Sequence, residues 1–385
     1  MKILFTSEEV VDICNGRYYA LNLGMHLTKY KYLGDIICVC YCREVESTKL
    51  PEVDMNAAKF VFTQKETSPL AKFTVHKRNH ALIKECMEEA DALVAHVPSW
   101  NSEHSIQLAK DLKKPFMEVV VGCIWDSMWN FDWRGKLIAI PEYLKMKRQV
   151  ASANYALYVT EFFLQKRYPC KGITEHASNV CIDKAPQEVL DARLKRIDSY
   201  EKSSPLNIAT AAGVDVRYKG QQYVIRALRK LNKDLGFNYH YYIIGTGDQS
   251  YLRNVAKEAD VEQYVHFTGP LKHDQVIEMF DKMDLYIQPS KQEGLPRALI
   301  EAMSRALPAV GTRVAGIPEL LADDYLVKKG SVDEIVRVLS TKMDKESMQN
   351  QAKRNFEKAS EYTLDIINKR RQAFFDRFII EKGLK

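Results

Sequence analysis

The sequence predicts an α/β protein of two domains, each a parallel sheet covered by helices on both faces. Three observations carry this expectation. Apolar runs of strand length alternate along the chain with helical patterns, which implies strand–helix–strand crossovers and hence parallel sheets. At 385 residues the chain exceeds what one hydrophobic core usually serves, so two domains of ordinary size are expected. Several apolar runs end in glycine-bearing loops followed by helices, and open α/β sheets bind ligands outside the carboxyl ends of their strands.

Taken in order, the strand candidates of the first half are 3–5, 36–41, 59–63, 92–97, 116–121 and 156–160, with helical patterns over 79–90 and 102–112 between them. The second half offers 207–211, 239–244, 265–268, 285–288 and 308–311. A charged stretch from Asp183 to Pro205, with Pro186 and the Ser203-Ser204-Pro205 break, marks the domain boundary. The last helical pattern, 364–380, sets Lys369, Arg370 and Arg371 beside Phe374, Phe375 and Phe378.

Composition narrows the class. A 46% hydrophobic content is that of a globular protein, and no low-complexity tract appears. The opening Met1-Lys2-Ile3-Leu4-Phe5-Thr6 is too short for a signal-peptide core and reads as the first strand. No run approaches the ~20 apolar residues that span a bilayer. Cys38, Cys40 and Cys42 alternate along one apparent strand, where same-face neighbours are poorly placed for disulfides, and no CxxC pair suggests zinc. The eight cysteines are therefore expected to be reduced core residues of a cytoplasmic protein.

The most informative stretch is Glu293-Gly294-Leu295-Pro296-Arg297-Ala298-Leu299-Ile300-Glu301, after the apolar run 285–288 and the loop Pro289-Ser290-Lys291-Gln292. Pro296 suits the first helical turn, where its missing N–H is no loss. Glu293 and Gly294 then fall in the strand-to-helix loop, and Glu301 on the helix. Such a helix start aims backbone N–H groups at an anion, and a phosphate fits. An acidic residue beside that anion is favourable when the ligand also carries hydroxyls. A sugar phosphate satisfies both demands. The alternative is an ordinary amphipathic helix in which Arg297 and Glu301 form an i,i+4 pair.

Two glutamates eight apart after a Pro-Ser strand end closely resemble the signature of the retaining glycosyltransferases of family 4, also called group 1. The resemblance implies the GT-B fold, two Rossmann-like domains facing across a cleft. It implies that Glu293 contacts the transferred sugar, that Glu301 holds the ribose, and that Gly294, Leu295 and Arg297 lie at the donor. Three more loops follow in family order. Gly213, Lys219 and Gly220 match a Gly-Arg-Leu-x-x-x-Lys-Gly phosphate loop, but Val214 stands where the arginine is expected, leaving Arg217 to reach in from later in the loop. Gly245-Thr246-Gly247 resembles the family's turn at the nucleotide, and lacks the third glycine of a dehydrogenase fingerprint, where Ser250 stands. The strand end His266-Phe267-Thr268-Gly269 resembles the one whose backbone pairs with the base.

The first half carries weaker signals. Asn15-Gly16-Arg17 follows the first strand and is expected to open a helix, with Gly16 near the donor phosphates. All four tryptophans lie here, and 122–131 reads as an aromatic-rich loop in which Trp125 and Asp126 are acceptor candidates. Trp125, Trp129 and Trp133 recur every four residues, so a helical core stripe is the competing reading. From 134 to 171 there are eight basic and two acidic residues, against +6 for the whole chain. That concentration suits an anionic membrane surface or a solvated helix face. No nucleic-acid module accompanies it.

The expectation is therefore a retaining glycosyltransferase moving a sugar from a UDP- or GDP-sugar to a glycan or polyprenyl-diphosphate-linked acceptor in surface polysaccharide synthesis. The domains would be 1–183 for the acceptor, 184–204 as linker, 205–363 for the nucleotide sugar, and 364–385 as a helix returning to the first domain. Glu293, Lys219 and Arg217 would carry the chemistry. No Asp-x-Asp pair is evident, so the scheme requires neither metal nor other cofactor. The setting expected is cytoplasmic, with peripheral contact to the inner membrane face. A nucleotide-sugar epimerase of the same fold and a non-catalytic nucleotide-binding module fit the same residues.

Overall fold

A computed structural model of the chain describes residues 1–65, 69–129, 133–201 and 204–384. Asn130 and Phe131 of the aromatic-rich segment, and Ser203 of the proposed break, lie outside the described residues. Two compact units result, one of Met1–Ala177 with Asn368–Lys385, the other of Ser178–Ile367.

In the first unit the strands are β1 (Lys2–Cys14), β2 (Arg17–Tyr19), β3 (Asp35–Glu44), β4 (Glu52–Val53), β5 (Lys59–Thr63), β6 (Ala92–Val97), β7 (Phe116–Val120), β8 (Tyr155–Tyr158) and β9 (Ile173–His176). Among the described residues they form one sheet, with β3 and β5 on one side of β1 and β6 to β9 on the other. All pairings are parallel except β1 with β2 and β2 with β4. Every residue of β6 and β7 is buried, as expected for strands covered by helices on both faces. The helix Leu364–Lys382 turns Phe374, Phe375 and Phe378 inward, and Phe378 meets Tyr155 edge-on at 5.1 Å.

The second unit holds β10 (Leu206–Ala211), β11 (Tyr239–Ile244), β12 (Val265–Gly269), β13 (Leu285–Gln288), β14 (Ala309–Thr312) and β15 (Leu326–Val327). Their spatial order is β12-β11-β10-β13-β14-β15, all parallel. This is the doubly wound order in which the chain reverses direction across the sheet between its first and fourth strands. The switch point lies between β10 and β13, and the loops leaving those two strands flank it.

Several expectations need correction. Asn15 and Gly16 do not open a helix. With φ of 50° and 73° they form the two-residue turn joining β1 to antiparallel β2, and the first helix is Leu23–Tyr30. Asn-Gly tolerates positive φ at both positions, which is what a tight hairpin needs. The segment at 122–131 is not a loop throughout, since Ile124–Trp129 is helical. The charged stretch read as a linker contains the helix Gln187–Asp198. All eight cysteines are free, but only Cys38, Cys40, Cys86 and Cys123 are buried in the core; Cys14, Cys170 and Cys181 are half-buried, and Cys42, near the end of β3, is exposed.

Candidate active site

At the switch point the loop after β10 meets the loop after β13. Lys219 Nζ lies 2.8 Å from Glu293 Oε1, with the two side chains 23% and 9% exposed. Ser290 Oγ donates to the same oxygen at 2.6 Å, and Gln288 Nε2 at 2.9 Å. Tyr286 OH in turn donates to Gln288 Oε1 at 2.7 Å. Tyr286 and Gln288 are two apart on β13 and so share one face of it, which is how a strand end delivers a stacked polar relay. Burial holds the Tyr286 phenol well above its ordinary value, so it remains a neutral donor. Among the described residues, every hydrogen bond to this carboxylate falls on Oε1.

The two loops are locked by backbone approach. Gly220 has φ of 82°, and a Cβ there would stand 2.0 Å from the Pro289 carbonyl oxygen. Lys291 N–H donates to Tyr218 O at 2.7 Å, and Thr312 Oγ1 to Ser290 O at 2.5 Å. Gly294 O accepts from Gly316 N at 2.9 Å, which pins Gly294 and Leu295 below the helix Arg297–Ser304. Pro296 is the N-cap of that helix, one residue before its first turn.

Val214 is buried, and its N–H is bonded to Thr246 O at 2.9 Å, so the position expected to carry an arginine points into the core. Arg217 is exposed, with its guanidinium over the Tyr251 ring at 4.4 Å from the centroid. The structure thus joins Lys219 to Glu293 and leaves Arg217 outside that cluster. Gly213 O accepts from Gln221 Nε2 at 3.1 Å. Gly245, with φ of 155°, sits against the same loop, where a Cβ would meet Ala212 O at 2.0 Å. Its N–H reaches Gly269 O at 3.3 Å, which ties the ends of β11 and β12, with Thr268, to the site's rim.

Glu301 is on the helix face next to the site and is nearly buried. Arg297 Nε lies 2.7 Å from its Oε1, the i,i+4 pair that the plainer reading expected, and His273 Nδ1 lies at 3.7 Å. These three residues line a pocket of about 570 Å³ together with Asp274, Ser304 and Asp183. Sequence reasoning missed Tyr286, Gln288 and His273. The signal for the first two was a polar residue pair of period 2 closing an apolar strand; His273 carried none.

Gly16, Trp125 and Asp126 belong to the first unit. Trp125 stacks on Trp129 at 4.9 Å, and Asp126 pairs with Arg167 at 3.3 Å. Among the described residues no group of three His, Cys, Asp or Glu side chains is placed to hold a metal ion.

Comparison with known proteins agrees with this geometry. Residues 193–359 match the family "Glycosyl transferases group 1". The chain is 26% identical over 381 residues to Protein CapJ of Staphylococcus aureus, covering 97% of this chain and 94% of that protein. It is 30% identical over 180 residues to the putative colanic acid biosynthesis glycosyltransferase WcaL of Escherichia coli, covering 43% and 44% of the two chains. Among solved structures, Anabaena Alr3699/HepE in complex with UDP superposes with a TM-score of 0.68 at 16% identity, covering 98% of this chain and 100% of that one. The same protein is also solved in complex with UDP-glucose. The second unit's doubly wound sheet, its Glu-x7-Glu loop and helix, and these matches together mark residues 193–359 as a group 1 glycosyltransferase region in a chain with the GT-B fold of glycosyltransferases.

Proposed function

We propose that the enzyme transfers a sugar from a nucleotide-diphosphate sugar to a glycan or lipid-linked acceptor with retention of anomeric configuration, in surface polysaccharide synthesis. The observation that carries this reading is the Glu293 carboxylate, fixed through one oxygen by Lys219, Gln288 and Ser290 at the switch point. A carboxylate held this way orients sugar hydroxyls and stabilises positive charge developing at the anomeric carbon. The bond from that carbon to the diphosphate oxygen breaks, its electron pair leaving with the diphosphate. The acceptor oxygen bonds to the same carbon on the same face, and its proton passes to a diphosphate oxygen.

Lys219 meets the charge on the leaving group, with the backbone amides at the start of the helix Arg297–Ser304. Arg217 adds a second cation by swinging off Tyr251, an exposed contact worth only about 0.5–1 kcal/mol. Glu301 takes the ribose hydroxyls, after exchanging its contact with Arg297. Gly213, Gly245 and Thr268 bring backbone against the nucleotide. Among donors a uridine diphosphate sugar is favoured, because HepE was solved with UDP and UDP-glucose. The acceptor is assigned to 1–183, near Trp125 and Asp126, and the donor to 205–363.

A panel of UDP- and GDP-sugars screened by thermal shift finds the donor, since a tight ligand raises stability by mass action. Acceptor-dependent release of nucleotide diphosphate, with the product anomer read by NMR, then tests the reaction. An inverted product would overturn retention.

A further inference from the structure

Two neighbouring strands of the first unit end at different heights, and the step between them is a pocket. Pairing of β3 with β5 stops at Tyr41 and Thr63, where β5 ends, but β3 runs on to Glu44. There it is held by β1, whose register shift between Thr6 and Val10 carries the pairing on from Val10–Tyr41 to Ile13–Glu44. The projecting strands form one wall, and the end of β5 forms the floor. The helix Pro69–Glu89 supplies the other wall, because Asn79 grips the backbone of Gln64. Its Oδ1 accepts from the Gln64 N–H at 3.1 Å, and its Nδ2 donates to the Gln64 carbonyl at 2.8 Å. The volume is about 500 Å³, within the usual range for small-molecule sites.

The lining is cationic and partly apolar. Arg43, Lys65 and Arg78 bring three cations, beside Val10, Tyr41 and Phe62. Tyr41 and Arg43 are two apart on β3 and share a face, and Lys65 Nζ lies over the Tyr41 ring at 5.2 Å from its centroid. Arg43 reaches Asp12 at 2.5 Å through Nε and at 3.3 Å through a terminal nitrogen, which fixes the guanidinium and offsets its charge. Among the described residues Lys65 and Arg78 have no acidic partner, and both are exposed. Over the described residues the pocket therefore keeps two uncompensated positive charges. They stand at the carboxyl ends of parallel strands, where such sheets bind ligands.

We propose that this pocket takes the acidic group of a negatively charged sugar, a carboxylate or a phosphate, so that the acceptor is an anionic glycan. The proposal rests on the glycosyltransferase reading, which puts the acceptor in this unit. A guanidinium matches either anion, and Val10, Tyr41 and Phe62 suit the apolar face of a sugar ring. A bare inorganic ion would leave most of the volume to water. β5 and β7 are four spacings apart in the sheet, roughly 19 Å. The anionic unit is therefore held away from Trp125 and Asp126, and selects the glycan rather than the attacking hydroxyl.

The test is titration calorimetry of the full chain with two acidic probes and a neutral one. Hyaluronan tetrasaccharide offers a carboxylate, glucose 6-phosphate a phosphate, and carboxyl-reduced hyaluronan tetrasaccharide neither. An acidic probe should bind, more weakly as salt rises, and the one that responds names the anion. The double variant K65Q/R78Q, at exposed positions that leave the fold intact, should weaken that binding by roughly tenfold or more, the scale of one lost charge-assisted contact. The control K257Q/K353Q removes the same charge from exposed positions of the second unit and should bind as the wild type does. Affinity for nucleotide diphosphate should not change in either variant, so a failed donor assignment is read separately. Binding of neither acidic probe to the wild type overturns the proposal. So does equal affinity for the neutral tetrasaccharide, or an equal loss in the two double variants.

Discussion

Lys219 and Glu293 are joined across the switch point at 2.8 Å, and each is the other's only opposite charge in the hydrogen-bonded cluster. In the proposed reaction this pair is a resting arrangement. A bound diphosphate carries more negative charge than one carboxylate, so it draws the ammonium toward itself. Gln288 and Ser290 then keep Glu293 in place by neutral hydrogen bonds. The carboxylate need not move when its cation does.

Glu293→Gln preserves the shape of the side chain but removes the charge that faces the anomeric carbon. Turnover should fall at least 100-fold, the scale of losing one preorganised electrostatic contact, while the affinity for free nucleotide diphosphate stays within a few-fold. Steady-state kinetics with calorimetry of the nucleotide measures both. Near-normal turnover would remove Glu293 from the mechanism.

Lys219→Ala and Glu301→Ala should separate by ligand. The first should weaken nucleoside diphosphate much more than free nucleoside, since the ammonium it deletes binds phosphate. The second should weaken both alike, since the carboxylate it deletes binds ribose. Titration calorimetry with the two ligands measures the difference. Equal weakening of both ligands by Lys219→Ala would mean that the loop does not hold phosphate.

Gln288 acts through Glu293 and is a positioning residue. Gln288→Leu deletes one of the two neutral donors to Glu293 and leaves the buried Tyr286 O–H without its acceptor, which costs about 1–3 kcal/mol of stability. The kcat should drop with little change in the donor KM. Tyr286→Phe spares the Gln288–Glu293 bond and should keep kcat within a few-fold. If both variants lose kcat equally, the relay to Glu293 is not what Gln288 supplies.

Glu118 on β7 predicts a pH effect in the first unit. Burial raises its carboxyl from 4.5 to about 7, partly offset by the Gln149 amide at 3.2 Å, and its Oε1 is buried without a partner. The folded state therefore holds a proton that the unfolded chain releases near 4.5. The stabilisation is complete below that value and is lost as pH rises toward 7, by up to about 3 kcal/mol. Glu118→Gln should flatten that part of the profile and make the protein more stable than wild type at pH 8. Urea unfolding at pH 5 and 8 measures it, and identical slopes for both proteins would refute the assignment.

Most strands were legible because their signal is local. Lys59–Thr63, Ala92–Val97, Tyr239–Ile244 and Leu285–Gln288 have the bounds that their apolar runs suggest. The strands that escaped, Arg17–Tyr19, Glu52–Val53, Ile173–His176 and Leu326–Val327, are short and at or near sheet edges, where pairing rather than composition makes the strand. At the site, Glu293 and Lys219 announced themselves by type and spacing, but their mutual contact did not, being a tertiary event. Asn15-Gly16 misled because a glycine after a strand serves a phosphate loop and a hairpin equally well. Only the partner strand decides.

The Lys219–Glu293 pair spans 74 residues of sequence, with three strands and their crossover helices between. Such a contact cannot form early, because its loop-closure entropy must be met before the pair rewards it. During synthesis β10 waits unpaired on its β13 side until that strand is made. The site is thus assembled by the same event that closes the sheet's middle, and activity becomes a readout of complete folding rather than of local order. A chain stalled or cut before Gln288 would hold β10, β11 and β12 with their loops, yet have no carboxylate to meet Lys219.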